Sequence, residues 1–115
     1  MKLPFSEYLA VSESKLAGYL LSEKHPIGRT KAVLFKRFGY SAEAWSIFAR
    51  DLIRIARENE VTSVEKTPFG VRYVIDGVLS TPSGRPLPVR TLPVRTIWFV
   101  DNDEQIAHFV TAYPR

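Results

Sequence analysis

The spacing of apolar and polar residues changes character near residue 60. Before that point apolar residues recur every three or four positions, which is the period of an amphipathic helix. After it, β-branched residues and turn residues dominate, as in a series of strands. The pattern therefore predicts an N-terminal arm over residues 1–11, a helical half over residues 12–59 and a sheet over residues 60–114.

Two short helices are predicted at the start of the helical half. Ser12 or Ser14 is placed to cap the first of them. Thr30 is suited to be the N-cap of the second helix, Lys31 to Phe38, and Gly39 is suited to end it.

The longest predicted helix follows Ser41, which we expect to cap it. One side of this helix is an apolar stripe made of Trp45, Phe48, Ala49, Leu52, Ile55 and Ala56. The other side carries Arg50, Asp51, Arg54 and Arg57. This division predicts that the helix covers a flat surface and turns a solvated, charged face outwards.

Four strands are predicted, over residues 61–67, 70–80, 93–100 and 106–113. The connections between neighbouring strands are short, which favours an antiparallel meander. The predicted fold class is α+β, with N-terminal helices packed on one face of a four-stranded antiparallel meander sheet. The chain of 115 residues is expected to form one domain, with the second sheet face free to meet a ligand.

The pentamer LPVRT occurs twice in direct succession, at residues 87–91 and 92–96. Because the period is odd, equivalent residues of the two copies would point to opposite faces of a strand. We interpret the second copy as strand, since it continues into an apolar run. The first copy is interpreted as an extended arm or part of a loop.

The composition has an excess of basic over acidic residues, with 16 Lys and Arg against 12 Asp and Glu. The net charge is +4 and the sequence pI is about 9.6, which suits an anionic partner such as nucleic acid or simply an ordinary basic surface. The chain has no cysteine, which excludes disulfides and thiolate metal sites. The N-terminal residues are a poor signal peptide, and no apolar run approaches the ~20 residues that span a bilayer, so a cytoplasmic protein without membrane contact is expected.

The segment KHPIGRTK, residues 24–31, places cations where a helix begins. A cation such as Lys31 in the first turn of a helix is disfavoured by roughly 0.3–1 kcal/mol, because that end of the helix dipole is positive. Arg29, the Thr30 cap and exposed backbone donors would together suit a phosphate. His25 beside them could act as an acid or a base near neutral pH.

The predicted strands supply further candidates for RNA chemistry, namely Arg72, Arg95, His108, Thr111 and Tyr113. Arginine forks bind phosphate oxygens, and hydroxyl groups can position them. Phosphate-binding glycine loops and paired-histidine metal spacings are absent from the sequence. Strict alternation places Thr111 and Tyr113 on one face and His108 on the other, and leaves open which of them Arg95 accompanies.

Each candidate also has a structural interpretation. His25 precedes a proline and could only shape a turn, and Lys31 could be a solvated surface lysine. Arg95 could form a salt bridge with a nearby acid. His108 could be a packed or edge histidine, and Tyr113 could cap the sheet.

The segments KLAGYLL, HPIGRTKAVLFKRFGY, VRTIWFV and VTAYP together resemble an uncharacterised bacterial domain family of about this length. Its members occur alone and as C-terminal modules of phage-related and toxin-like proteins, and the resemblance covers residues 13–114. The positions that match its pattern are Lys15, His25, Gly28, Lys31, Arg95, Thr96, Thr111 and Tyr113. The duplication of the pentamer departs from that pattern, in which only one copy of VRT is expected.

More distantly, the layout is similar to the barnase, EndoU, colicin and RelE-like ribonuclease toxins. Together with the histidine-bearing helix entrance, the toxin-like contexts lead us to expect a catalytic group of His25, Lys31, Arg95, Thr111 and Tyr113. We expect RNA or phosphate contacts at Lys15, Arg29, Thr30 and Thr96.

The predicted function is that of a metal-independent ribonuclease toxin from a toxin–immunity or toxin–antitoxin pair, without cofactor or metal. Its partners would be RNA and a cognate immunity or antitoxin protein, and it would act in the cytoplasm of its own cell or of a target cell. The alternative is a non-catalytic binding module that docks nucleic acid or an operon-encoded partner protein. In that case the exposed sheet face and the edge strand with the pentamer repeat would be the docking surface.

Overall fold

The computed structural model describes residues 1–22, 24, 29–80 and 91–115, with only the backbone described at positions 29 and 30. Helices occupy the first half of the chain and long strands the second, as predicted. The helical elements are α1 (Glu13–Lys15), a π-helical segment (Leu16–Leu20), α2 (Arg29–Phe38) and α3 (Trp45–Glu58). The strands are β1 (Leu9–Ala10), β2 (Val61–Lys66), β3 (Gly70–Ser80), β4 (Thr91–Asp101) and β5 (Ala107–Pro114).

The first helical element, α1, is capped by Ser12, one of the two predicted caps. The Ser12 hydroxyl accepts a hydrogen bond from the backbone N–H of Lys15 at 3.3 Å. The chain then widens into the π-helical segment, and the N–H of Leu21 donates to the carbonyl of Leu16 at 2.7 Å. Leu16 and Leu20 are fully buried, so the segment adds its apolar side to the core.

Helix α2 begins at Arg29, earlier than predicted, so Thr30 lies inside its first turn and is not its N-cap. Its end matches the prediction. Gly39 has a φ of 125°, and the N–H of Tyr40 donates to the Phe35 carbonyl at 3.1 Å. This arrangement satisfies carbonyls that the helix end would otherwise leave free, and glycine takes the left-handed backbone without a Cβ clash.

The start of α3 differs from the prediction, because Ala44 is the cap residue. The Ser41 hydroxyl instead accepts from the N–H of Ala44 at 3.2 Å, in the turn before the helix.

The charged side of α3 also needs one correction. Asp51 is buried, whereas we expected it to be solvated. The Tyr40 hydroxyl donates to its carboxylate at 2.7 Å. The pKa of Tyr40 is raised, mainly by burial and to a smaller extent by this hydrogen bond.

The sheet is mixed and has five strands, in the order β1-β5-β4-β3-β2. The four long strands form the predicted antiparallel meander. Leu9 and Ala10 add a parallel strand beside Ala107 and His108, within the segment we predicted to be an arm. A two-residue strand has no periodicity of its own, so only its pairing reveals it.

The second copy of the pentamer does not lie at a sheet edge, so the predicted edge strand carrying it is contradicted. It belongs to β4, which pairs with β3 on one side and with β5 on the other. Thr91 opens the strand, and the rest of the first copy lies outside the described residues.

Helix α3 packs on one face of the sheet, where β3 allows a close approach. A Cβ at Gly77 would lie only 2.6 Å from the Cγ2 atom of Ile55, so glycine is needed for this contact. Trp98 is fully buried on this face and meets Phe109 edge to face at 5.4 Å between ring centroids. Within the described part of the chain, no helix has the length and apolar character needed to cross a membrane.

Candidate active site

A β-bulge in β5 decides which residues share the second face of the sheet. Trp98 pairs with Phe109, but the next residue of β4, Ile97, pairs with Thr111. Val110 is therefore the extra residue, and the alternation of β5 reverses across it.

The bulge brings together residues that strict alternation separates. His108 pairs with Phe99, Thr111 with Ile97 and Tyr113 with Arg95. Residues 95, 97 and 99 lie on the same face of β4, and residues paired directly across two strands also share a face. Arg95, His108, Thr111 and Tyr113 therefore lie on the same face. This answers the open question about Arg95 and corrects the predicted separation of His108 from Thr111.

Lys31 extends from the first turn of α2 to this part of β5. Its Nζ atom donates a hydrogen bond to Thr111 Oγ1 at 3.2 Å. The same ammonium lies 5.6 Å from the ring centroids of both Tyr19 and Tyr113, within the range of cation–π attraction. We call these four residues the Lys31 cluster. It joins three of the predicted catalytic residues through direct contacts of one cation.

An open cleft of about 560 Å³ adjoins the cluster. Its lining residues are Ser14, Lys15, Gly18, Tyr19, Val110 and Thr111. Lys15 is exposed, and a Cβ at Gly18 would meet no atom within 4 Å. The volume is in the range of small-ligand sites, and an anion in the cleft would meet the Lys15 cation and the Thr111 hydroxyl.

Arg95 is held by a carboxylate on the neighbouring strand. Its Nε and Nη2 atoms donate to the two carboxylate oxygens of Asp76 at 2.8 and 3.0 Å, and Arg115 approaches the same carboxylate at 3.4 Å. The hydrogen bond from Arg95 is the main reason that the pKa of Asp76 is lowered. Asp76 raises the pKa of Arg95 further, with a smaller contribution from Tyr113. The salt-bridge interpretation of Arg95 therefore holds, and its position beside Tyr113 leaves it at the edge of the Lys31 cluster.

Thr96 does not face the site, which corrects its assignment as an RNA contact. It is fully buried on the helix-covered face. Its hydroxyl donates to the Ile75 carbonyl at 2.7 Å and accepts from Trp98 Nε1 at 2.9 Å. Both bonds lie within the core, so Thr96 secures the indole group and cannot reach a phosphate in this structure.

The predicted site residues in the segment KHPIGRTK, residues 24–31, are only partly described. His25 and Gly28 lie outside the described residues, as do the side chains of Arg29 and Thr30. Their roles stay predictions.

His108 also lies on the second face. It pairs with Phe99, two residues along β4 from Ile97, which is the partner of Thr111. Its Nε2 atom is 3.1 Å from Glu104 and 3.9 Å from Asp101. The hydrogen bond to His108 is the main cause of the lowered pKa of Glu104, and the hydrogen bond to Glu104 raises the pKa of Asp101. These contacts pair His108 with acids, but His108 is not an edge histidine, because Ala10 of β1 and Phe99 of β4 flank it in the sheet.

Comparison with known families decides where the chain belongs. The family model called Domain of unknown function (DUF6883) matches residues 2–115. The chain belongs to this family. The resemblance to an uncharacterised domain family of about this length is thereby confirmed.

The fold of this DUF6883 domain also occurs in a solved structure. It is similar to a chain from a contact-dependent growth inhibition toxin–immunity protein complex of Klebsiella pneumoniae 342. The two chains share 16% sequence identity with a TM-score of 0.68, over 91% of this chain and 98% of the other. A search of the curated proteins found no match.

Two residues at or beside the candidate site were not predicted from the sequence. Tyr19 stands in an apolar helical run, where it looks like an ordinary core residue. Asp76 had a usable signal, because it interrupts the apolar run of β3 with a carboxylate. A charge inside a strand needs a partner, and Arg95 was the natural candidate.

Proposed function

We propose that this domain is a metal-independent endoribonuclease toxin that uses the Lys31 cluster as its active site. The observation that carries the proposal is the position of the Lys31 ammonium. It sits in the first turn of a helix and contacts the Thr111 hydroxyl on the second face of the sheet, and Thr111 in turn lines an open cleft. Such a site suits the phosphate of an RNA strand.

Electrostatics supports an anionic ligand here. The first turn of α2 has no acidic residue, and Lys31 forms no ion pair with any residue that the structure describes. Arg95, in contrast, is matched to the Asp76 carboxylate. A bound phosphate would supply the negative charge that Lys31 lacks and would also be favoured by the positive end of the helix dipole.

The chemistry follows from the residue types. A general base removes the proton of the ribose 2′-hydroxyl, and the 2′-oxygen attacks the adjacent phosphorus. The bond from phosphorus to the 5′-oxygen breaks, and a general acid returns a proton to that oxygen. We assign one of these proton transfers, as acid or base, to His25 and stabilisation of the phosphoryl charge to Lys31, while Thr111 and Tyr113 position the phosphate by their hydroxyls.

The fold likeness points in the same direction at a coarser level. The similar solved chain belongs to a complex of a growth inhibition toxin with its immunity protein. This supports a toxin or immunity-type role for the domain.

The test is cleavage of total RNA by the purified protein in the presence of a chelator. Lys31→Ala should lower the cleavage rate by about 10²-fold or more, as loss of one preorganised charge-stabilising group typically does. Lys66→Ala removes an exposed lysine of β2 and is the matched control. Equal cleavage by wild type and Lys31→Ala would remove Lys31 from the active site, and absence of cleavage by the wild type would refute the ribonuclease.

A second candidate is an immunity-type or other binding role, because the similar solved complex contains both a toxin and an immunity protein. Induced expression separates the two. Growth arrest that Lys31→Ala abolishes supports the toxin. Normal growth at high expression of the wild type supports the binding role.

A further inference from the structure

A second groove, of about 730 Å³, runs between the N-terminal stretch and the outer side of α3. It shares no lining residue with the cleft beside Thr111. Its apolar lining includes Leu9, Val11, Trp45 and Ile53, which are partly buried and pack against the core. The floor is therefore firm, and it offers aliphatic surface and one indole to a ligand.

Three arginines line the same groove along the solvated side of α3. Arg50, Arg54 and Arg57 follow one another at intervals of four and three residues, which places them on one stripe of the helix. The side chains of Arg50 and Arg54 remain 68% and 44% exposed although both approach the buried Asp51 carboxylate. Glu58 is the one acid among the lining residues. The groove thus combines an apolar floor with a positive rim.

We propose that this groove docks an acidic, amphipathic segment of a partner protein. Its apolar side chains would cover Trp45 and Ile53, and its carboxylates would pair with the arginines. Tryptophan and arginine are the residues most often responsible for binding energy in protein interfaces. RNA is disfavoured because single-stranded nucleic acid needs several aromatic faces for stacking, and this floor is mainly aliphatic.

The identity of the partner as an immunity protein rests on the proposed function, but the groove itself does not. Because the groove is separate from the cleft, the partner would bind without covering the Lys31 cluster directly.

The probe is the purified product of the gene adjacent to the one that encodes this chain. Of the two tryptophans, Trp98 is fully buried and Trp45 lines the groove, so quenching of Trp45 fluorescence by acrylamide reports occupancy. Binding should shield Trp45 from the quencher, and Trp45→Phe should remove that signal.

Ser46 provides a pair of variants that separates binding from folding. It is exposed, lines the groove and lies in the first turn of α3. Ser46→Glu favours the helix dipole but repels an acidic segment, whereas Ser46→Lys does the reverse. The proposal predicts that Ser46→Glu weakens binding and Ser46→Lys strengthens it. A folding artefact would give the opposite order.

A second variant, Arg50→Gln with Arg54→Gln, should raise the Kd by about tenfold or more. Arg37→Gln with Lys66→Gln removes two charges elsewhere and should leave the Kd unchanged. Melting temperatures of all variants are compared with the wild type, because both groove arginines contact Asp51.

Three results would overturn the proposal. One is failure of the gene product to bind the wild type, and another is binding that neither variant set alters. The third is that the groove variants lose affinity for a short single-stranded RNA and keep their affinity for the protein. RNA cleavage is measured in parallel. If the wild type never cleaves but the groove variants change protein binding as expected, the proposed function fails and the docking groove stands.

Discussion

The buried hydroxyl of Thr96 allows the sharpest test of the corrected site assignment. Thr96→Val keeps the shape of the side chain and removes both hydrogen bonds. The Trp98 indole N–H would then be buried without a partner, which costs about 1–3 kcal/mol, and the Ile75 carbonyl would lose a contact worth about 0.5–1.5 kcal/mol. The expected loss in the free energy of unfolding is therefore about 1.5–4.5 kcal/mol.

Urea denaturation and thermal melting measure this loss. For a domain of this size each kcal/mol corresponds to about 3–6 °C in Tm. Thr96→Ser is the matched control, because it keeps the hydroxyl and gives up one methyl group, at a cost of about 1 kcal/mol. In a Trp98→Phe background the penalty of Thr96→Val should shrink, since no indole N–H is left unpaired.

The same variants address function directly. At a temperature where Thr96→Val is folded, its RNA binding and cleavage should equal those of the wild type. The reasoning is refuted if Thr96→Val unfolds within about 0.5 kcal/mol of the wild type. A selective loss of RNA binding with unchanged stability would restore the predicted phosphate contact.

Three further stability predictions can be checked by urea denaturation. Gly77→Ala should destabilise by about 1–3 kcal/mol because its Cβ would press on Ile55, and a neutral effect would mean that α3 sits further from β3. Arg95 lowers the pKa of Asp76, so their pair contributes stability above the unfolded pKa of about 3.9 and loses it as the pH falls through the lowered folded value. Asp76→Asn should accordingly weaken the protein at neutral pH and flatten the acid limb of its stability curve, and an unchanged limb would contradict the pairing. Gly18→Ala should stabilise by about 0.4–1 kcal/mol, because the added methyl meets no atom and reduces the entropy of the unfolded chain, and a loss of stability would show that the π-helical segment requires glycine.

Local patterns were enough to predict most of the elements. The helix stop at Gly39 followed from the left-handed preference of glycine, and the cap at Ser12 followed from its hydroxyl. The four long strands followed from β-branched runs between turns. These features depend on residues close in sequence, so periodicity and propensity determine them.

The candidate site depended on contacts that no local pattern contains. Strict alternation assigned His108 and Thr111 to opposite faces, and the unpaired Val110 placed them on the same one. A bulge is a property of the pairing between two strands, so one strand alone does not reveal it. The short strand at Leu9, whose pairing defines the β1 edge, was missed for the same reason.

The sequence by itself determined that this is an α+β chain with a net positive charge, and that it has neither disulfides nor thiolate metal sites. It also marked Lys31, Arg95, Thr111 and Tyr113 as candidates by residue type. Only the tertiary structure decided their contacts: Lys31 contacts Thr111, and Arg95 pairs with a carboxylate. It also decided that the hydroxyl of Thr96, a predicted RNA contact, is enclosed in the core. The physical reason is that charge and hydroxyl chemistry belong to single residues, whereas burial and pairing are set by residues brought together from distant parts of the chain.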